Sequence, residues 1–274
     1  MSMKNKTIII TGASRGIGRE LALRCARDGA NIVIAAKSAD PHPTLPGTIH
    51  TVAEEVEAAG GQALPIQVDV RDETQVKGMV QEAANRFGGI DALVNNAGTI
   101  SLTSLEHTPL KKFDLIHQIN TRAVFLCSQA ALPWLKKSEN GHILNLSPAI
   151  NLKEKWLTPY IPYTVTKYGM SLLTLGMAGE FRRYGIAVNA LWPRTSIATA
   201  AVEKTGGDAI MRRSRKPVIM ADAGYEILST ADLALTGKTL LDEDLLRERG
   251  INDFSHYACD PTQADNLFQD LYVD

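Results

Sequence analysis

No stretch of this chain approaches the ~18 consecutive apolar residues that a membrane-crossing helix needs. The first apolar run, Ile8-Ile9-Ile10, follows Lys4 and Lys6 but stops at Thr11-Gly12, too soon for the apolar core of a secretory leader. Cysteine is scarce. Cys25, Cys127 and Cys259 are odd in number and form no C-x-x-C, so neither a disulfide framework nor a zinc cluster is expected. The six histidines form no H-E-x-x-H and no close pair, and no metal site is expected. An excess of one charge is missing too. The net charge of -1 leaves no basic footprint for nucleic acid. The chain also lacks a terminal Ser-Lys-Leu peroxisomal signal. These absences together lead us to expect a cytoplasmic protein.

What is present is ordinary globular material. The 274 residues are 45% hydrophobic, enough for a sizeable core. Strand and helix signals alternate. Strands are expected at 7–11, 31–35, 63–68, 90–94, 141–146 and 187–191, and helices at 18–28, 49–59, 73–87, 110–135 and 163–184. Between the second strand and its helix, Pro41, Pro43, Pro46 and Gly47 mark a loop. Such alternation predicts an α/β fold with a doubly wound parallel sheet, Rossmann-like, in three layers. No linker or repeat divides the chain, so residues 1–274 are read as a single domain. Residues 236–241 are a candidate seventh strand, and a loop-rich arm is expected from about residue 250.

Thr11-Gly12-Ala13-Ser14-Arg15-Gly16-Ile17-Gly18 falls between the first strand and the first helix. Glycines there permit a tight turn and let backbone N–H groups approach a pyrophosphate at the helix N-terminus. The Gly-Lys-Ser/Thr ending of a nucleotide-hydrolysing loop is missing. A site preferring NAD carries a carboxylate near the end of the second strand for the ribose 2′-OH. Here that strand ends Ala35-Ala36-Lys37. Lys37 and Arg15 are placed to flank a 2′-phosphate, so NADP(H) is expected over NAD. A solvated loop charge is the alternative reading of Lys37.

Tyr163 and Lys167 stand four apart in an expected helix, and therefore on one face. A phenol beside an ammonium has its pKa lowered toward the range of a general acid/base. Alone, the pair is a weak signal, and an exposed helix pair is the plainer reading.

Its company decides. The glycine turn, Asp69-Val70, Asn95-Asn96-Ala97-Gly98, Asn120, Ser147 and Tyr163-x3-Lys167 occur in this order, and the chain resembles the short-chain dehydrogenase/reductase family over nearly its whole length. Ala35-Ala36-Lys37, Pro41-His42-Pro43, Leu45-Pro46-Gly47-Thr48-Ile49 and Asn189-Ala190-Leu191-Trp192-Pro193 resemble a hydroxysteroid dehydrogenase-like branch, whose bacterial relatives are called citronellol or citronellal dehydrogenases. Animal members of that branch add a sterol-carrier domain, which is not expected here. The resemblance implies a Tyr163 proton donor, a Lys167 bonded to the nicotinamide ribose, and an Asn120 that holds a relay water. It implies that Gly12, Ser14, Arg15, Gly16, Ile17 and Gly18 line the cofactor phosphates and ribose, with Lys37 at the 2′-phosphate. Asp69 and Val70 would contact the adenine, Asn95, Ala97 and Gly98 the adjoining ribose, and Pro193 the nicotinamide end. It also implies a homodimer or homotetramer paired through the long helices.

The chain departs from that pattern in two places. Where the family has Ser-Ser, it has Ser147-Pro148, and where the family has Pro-Gly after the sixth strand, it has Pro193-Arg194. Proline offers no hydroxyl to a carbonyl, so Ser147, or a residue such as Asn151, is expected to serve. Ile150, Leu152, Trp156, Leu157, Tyr160 and Trp192 are expected to line an apolar pocket for an alcohol or carbonyl substrate. Two alternatives stay open: a dinucleotide-binding regulator or scaffold, and a reductase of CoA-linked substrates reading the Arg212–Arg215 and Lys216 cluster.

Overall fold

Successive strand residues face opposite sides, so a strand covered on both faces must be apolar throughout. Thr7–Thr11 (β1) is such a strand. Ile8 and Ile10 join one hydrophobic cluster and Ile9 another, each with no exposed area. The computed structural model describes residues 1–231 and 233–274. After β1 come α1 (Gly16–Ala26), β2 (Asn31–Ala36), α2 (Ile49–Ala58), β3 (Gln62–Gln67), α3 (Glu73–Phe87) and β4 (Ala92–Asn95). Next are α4 (Leu110–His117), α5 (Ala123–Leu135), β5 (His142–Asn145), α6 (Glu154–Leu157), α7 (Ile161–Phe181) and β6 (Ala187–Trp192). The chain continues with α8 (Ala200–Arg212), α9 (Val218–Leu228), β7 (Thr239–Leu241) and α10 (Asp242–Glu248).

The seven strands form one sheet in the order β3-β2-β1-β4-β5-β6-β7, with every pairing parallel. Residues of α1, α2, α9 and α10 build the cluster on one face, and residues of α3, α5 and α7 the cluster on the other. This is the expected Rossmann-like, three-layer arrangement. The strand order reverses between β1 and β4, and ligands of such sheets bind outside the carboxyl ends of the strands at that switch point. β1 ends there in the glycine turn, and β4 ends in Asn95.

Two departures from the sequence reading shape the site. The long helix expected over 110–135 is interrupted. Gln118–Arg122 forms a turn of π-helix between α4 and α5, the kind of insertion often found at functional sites. It carries Asn120 inward with no exposed area. The region after Pro193 holds α8 and α9, helices that the sequence reading had not marked. No described helix is long and apolar enough to cross a membrane.

Candidate active site

The glycine turn is fixed by backbone approach. Gly12 and Gly16 have φ of 68° and 57°, in the region that favours glycine. A Cβ on Gly12 would lie 2.9 Å from Ala97 Cα, and one on Gly18 would lie 2.5 Å from Asn96 Nδ2. Asn96 locks the turn: its Nδ2 donates to Thr11 O at 2.8 Å and Gly12 O at 3.1 Å. The Thr11 hydroxyl in turn accepts from Asn96 N and Ala97 N at 3.1 and 3.0 Å. Asn95 faces the other way. Its side chain is buried and donates to Asn145 Oδ1 at 2.8 Å, tying β4 to β5. The sequence reading gives Asn95 a cofactor role and Asn96 none, although both stand in the motif.

The proline-rich loop has a place in this construction. Arg15 Nε donates to Pro46 O at 2.9 Å, and its Nη2 donates to Ser38 Oγ and Gly47 O, both at 3.2 Å. Gly47, at φ 78°, crosses the turn so closely that a Cβ would lie 2.3 Å from Ser14 O. Lys37 is well exposed and pairs with Asp69 at 3.2 Å. Asp69 is held well below the usual carboxylate range, chiefly by hydrogen bonds from Arg71. Arg15, Lys37 and Ser38 thus gather two cations and a hydroxyl beyond β2. That donor set fits a phosphate monoester. Ser38 gives no sequence signal for such a role.

Next to the turn lies a cavity of about 420 Å³, lined among others by Ile17, Gly98, Tyr163, Lys167, Trp192 and Pro193. Tyr163 and Lys167 come from adjacent turns of α7 and are both buried. Lys167 Nζ donates to Leu146 O at 2.8 Å and lies 5.1 Å from the Trp192 ring centre. Loss of hydration pushes Lys167 down to about 8. Burial pushes Tyr163 well above the ordinary phenol value, with Tyr272 and Asp270 adding to the rise. The lowering of Tyr163 by Lys167 expected from their spacing does not occur in the protein alone. The ammonium is directed at a carbonyl, and desolvation of the phenolate wins.

Asn120 spends its side chain on structure. It accepts from Thr99 N at 2.9 Å and donates to Thr99 O and Thr166 Oγ1 at 3.1 and 3.0 Å. Ser147 does not reach the cavity. It is fully buried, its hydroxyl has no partner among the described residues, and it is absent from the cavity wall. Asn151 is held elsewhere, with its Nδ2 donating to Asp274 Oδ2 at 2.8 Å. Of the apolar residues expected to line the pocket, Tyr160 and Trp192 do so. Ile150 and Leu152 are exposed, and Trp156 packs against Tyr272 with ring centres 5.9 Å apart. Ile100, Leu102, Ile197, Met220, Phe268 and Leu271 are among the residues that supply more of the apolar wall. The last two belong to the C-terminal arm, which folds back over the site. Arg194 pairs with Asp244.

A family model described as short chain dehydrogenase matches residues 6–208. The chain belongs to the short-chain dehydrogenase/reductase family. It is 54% identical over 268 residues to hydroxysteroid dehydrogenase-like protein 2 of Danio rerio, covering 98% of this chain and 64% of that protein. The chain therefore spans under two thirds of the length of that curated relative. A short chain dehydrogenase structure from Mycobacterium thermoresistibile shares 52% identity at a TM-score of 0.94, covering 100% of this chain and 96% of that one. A family member from Burkholderia cenocepacia, in complex with NADP, shares 29% identity at a TM-score of 0.76, covering 88% of this chain and 97% of that one. Together these bear out the family and branch resemblance and the Rossmann-like fold.

Proposed function

We propose that this protein is an NADP(H)-dependent oxidoreductase acting on an apolar alcohol or carbonyl compound. The observation that carries the reading is the meeting of Tyr163 and Lys167 on the wall of a largely apolar cavity that opens beside the glycine turn. The NADP-bound relative supports the choice of cofactor. Gly12, Ser14, Gly16, Ile17 and Gly18 would hold the pyrophosphate and ribose, and Arg15, Lys37 and Ser38 the 2′-phosphate. Asp69 and Val70 would border the adenine, Asn95, Ala97 and Gly98 the ribose next to it, and Pro193 the nicotinamide.

Bound there, the nicotinamide supplies or accepts a hydride. The chain's own groups handle the proton. A phenol whose pKa burial has raised is protonated at neutral pH, which is the form that gives a proton to a carbonyl oxygen being reduced. Lys167 would bond the nicotinamide ribose and, as a cation in a poorly hydrated wall, stabilise the tyrosinate left behind. Asn120 keeps Thr99 and Thr166 in place around them. We assign Ser147 no contact with substrate.

Tyr163→Phe is expected to lower turnover by about 10²–10⁴-fold, with NADPH affinity within about twofold. Full turnover by that variant on a validated substrate would refute the assignment. A second reading, a dinucleotide-binding regulator, draws on Pro148, which stands where the family has a serine hydroxyl. Tight NADPH binding without turnover across a broad panel of alcohols, ketones and aldehydes would favour it. Of the cluster behind the CoA reading, Arg212 pairs with Asp260 and Arg215 is buried against Glu243, whereas Arg213 and Lys216 donate only to neutral oxygens among the described residues. Phe125, Val165, Leu172 and Leu175 are exposed on α5 and α7, and we assign that face to contact with a second copy.

A further inference from the structure

In the family pattern a serine hydroxyl meets the substrate oxygen where this chain has Pro148, and none of Ser147, Pro148 or Asn151 lines the cavity. Several other polar groups on the wall are already engaged. Asn96 is spent on the glycine turn, Thr199 accepts from Val202 N at the start of α8, and Thr205 donates to Ala201 O. The Ser196 hydroxyl lies on the same wall with no hydrogen bond among the described residues, and Asp270 adds a carboxyl to it. Its Oδ1 accepts from Leu271 N at 2.7 Å, its Oδ2 has no hydrogen-bond partner among the described residues, and the residue lines the cavity that Tyr163 and Lys167 also line.

The carboxyl is also held in place. Asp270 N donates to Arg194 O at 3.1 Å. Thr195 and Gln269 form an antiparallel bridge, and Trp192 Nε1 donates to Leu271 O at 2.8 Å. A polar group fixed by its own backbone in a largely apolar wall is preorganised for a developing charge. We propose that Asp270 meets the reacting oxygen of the substrate, its carboxylic O–H donating to that oxygen in place of the missing serine hydroxyl. The inference rests on the oxidoreductase reading above. In reduction the hydride goes to the carbonyl carbon and the Tyr163 proton to the oxygen, while Asp270 keeps its own proton throughout.

Protonation suits this role. Burial pushes Asp270 up to about 7, Asp242 at the start of α10 adds to the rise, and Lys167 opposes it. The ionisable groups facing it are Lys167 and Tyr163 from α7, Asp242 from α10 and Tyr272 along the arm. Because the pKa is raised, the donor form prevails below about pH 7. Above it, a carboxylate would repel the carbonyl oxygen.

The test measures binding of octan-2-one to the NADP⁺ complex by calorimetry. No hydride is available in that complex, so the result does not depend on turnover. Asp270→Leu should weaken binding about tenfold at pH 6, the worth of one buried hydrogen bond. Asp270→Asn, which keeps a donor and loses the titration, should stay within about threefold of the parent and be flat from about pH 6 to 8.5. The parent should weaken about tenfold over the same range. All three should bind the oxygen-free isostere 2-methyloct-1-ene alike. Ketone binding by Asp270→Leu equal to that of the parent, a parent without pH dependence, or a parent that binds no ketone would each overturn the proposal. Should Asp270→Leu fail to fold, as judged by lost NADPH affinity, the flat Asp270→Asn profile decides. Tyr163→Phe turnover tests the reaction separately, so either reading can fail alone.

Discussion

The two ends of the cavity are held by different means. At the inner end, backbone meets backbone. The glycine turn lies against Asn96 and Ala97 at distances that leave no room for a Cβ, and Gly47 closes on Ser14 in the same way. At the outer end, side chains from segments far apart in the chain meet through rings and single hydrogen bonds: Trp192, Tyr160, Phe268 and Leu271. A backbone-built end tolerates almost no change in shape, and it holds the part of a ligand that never varies. A side-chain-built end can be rebuilt residue by residue without disturbing the sheet, which suits the part that sets substrate choice.

The sharpest way to break that contrast is Gly18→Ala. The added methyl would meet Asn96 Nδ2 at 2.5 Å and Gly12 O at 2.8 Å. Overpacking of this kind costs roughly 1–3 kcal/mol, so NADPH affinity should fall by about ten- to a hundredfold in a fluorescence titration. Unchanged affinity would mean that the inner end is as pliable as the outer one. A smaller effect is expected from Lys37→Ala, since Lys37 is 65% exposed. It should weaken NADPH about tenfold, at the low end for a charge-assisted hydrogen bond, and leave NADH within about twofold. Arg71 would still hold Asp69 in that variant. Equal losses for both cofactors would remove Lys37 from the 2′-phosphate.

The same contrast explains what could be read from the residues alone. Gly12 and Gly16 announce themselves because φ above zero admits little else, and Gly18 because its neighbours leave no room for a Cβ; such constraints act over a few adjacent residues. The continuous apolar strands likewise state that both sheet faces are covered. Asp270 carries no such mark. A carboxyl near the end of a chain usually lies in solvent, and only the return of the arm across β6 makes it part of a wall. Asn120 gave half its story: its burial follows from a π turn that no periodicity in residues 110–135 reveals, because one inserted residue leaves the apolar stripe nearly intact. Ile150 and Leu152 misled for the opposite reason. Apolar character in a loop fixes no direction, and the arm's own Phe268 and Leu271 took the places they were expected to fill.

The outer end has its own pin, and it gives the mildest prediction. Tyr272 has φ 69°, a conformation that costs a bulky residue of order 1 kcal/mol or more unless its surroundings impose it. Here the Trp156, Tyr168 and Trp192 rings surround it at centre distances of 5.9, 5.2 and 6.1 Å, and its hydroxyl sits 3.0 Å from Thr164 Oγ1. Tyr272→Phe keeps the rings and deletes one buried hydrogen bond, leaving Thr164 its bond to Trp156 O. Stability to urea should drop by about 0.5–1.5 kcal/mol, KM for a carbonyl substrate should rise a few-fold, and NADPH affinity should not move. If the rings alone hold the arm, KM will stay at the parent value. If NADPH affinity falls as well, the two ends of the cavity are coupled through Trp192 and Lys167, and the division between a rigid inner end and an adaptable outer one does not hold.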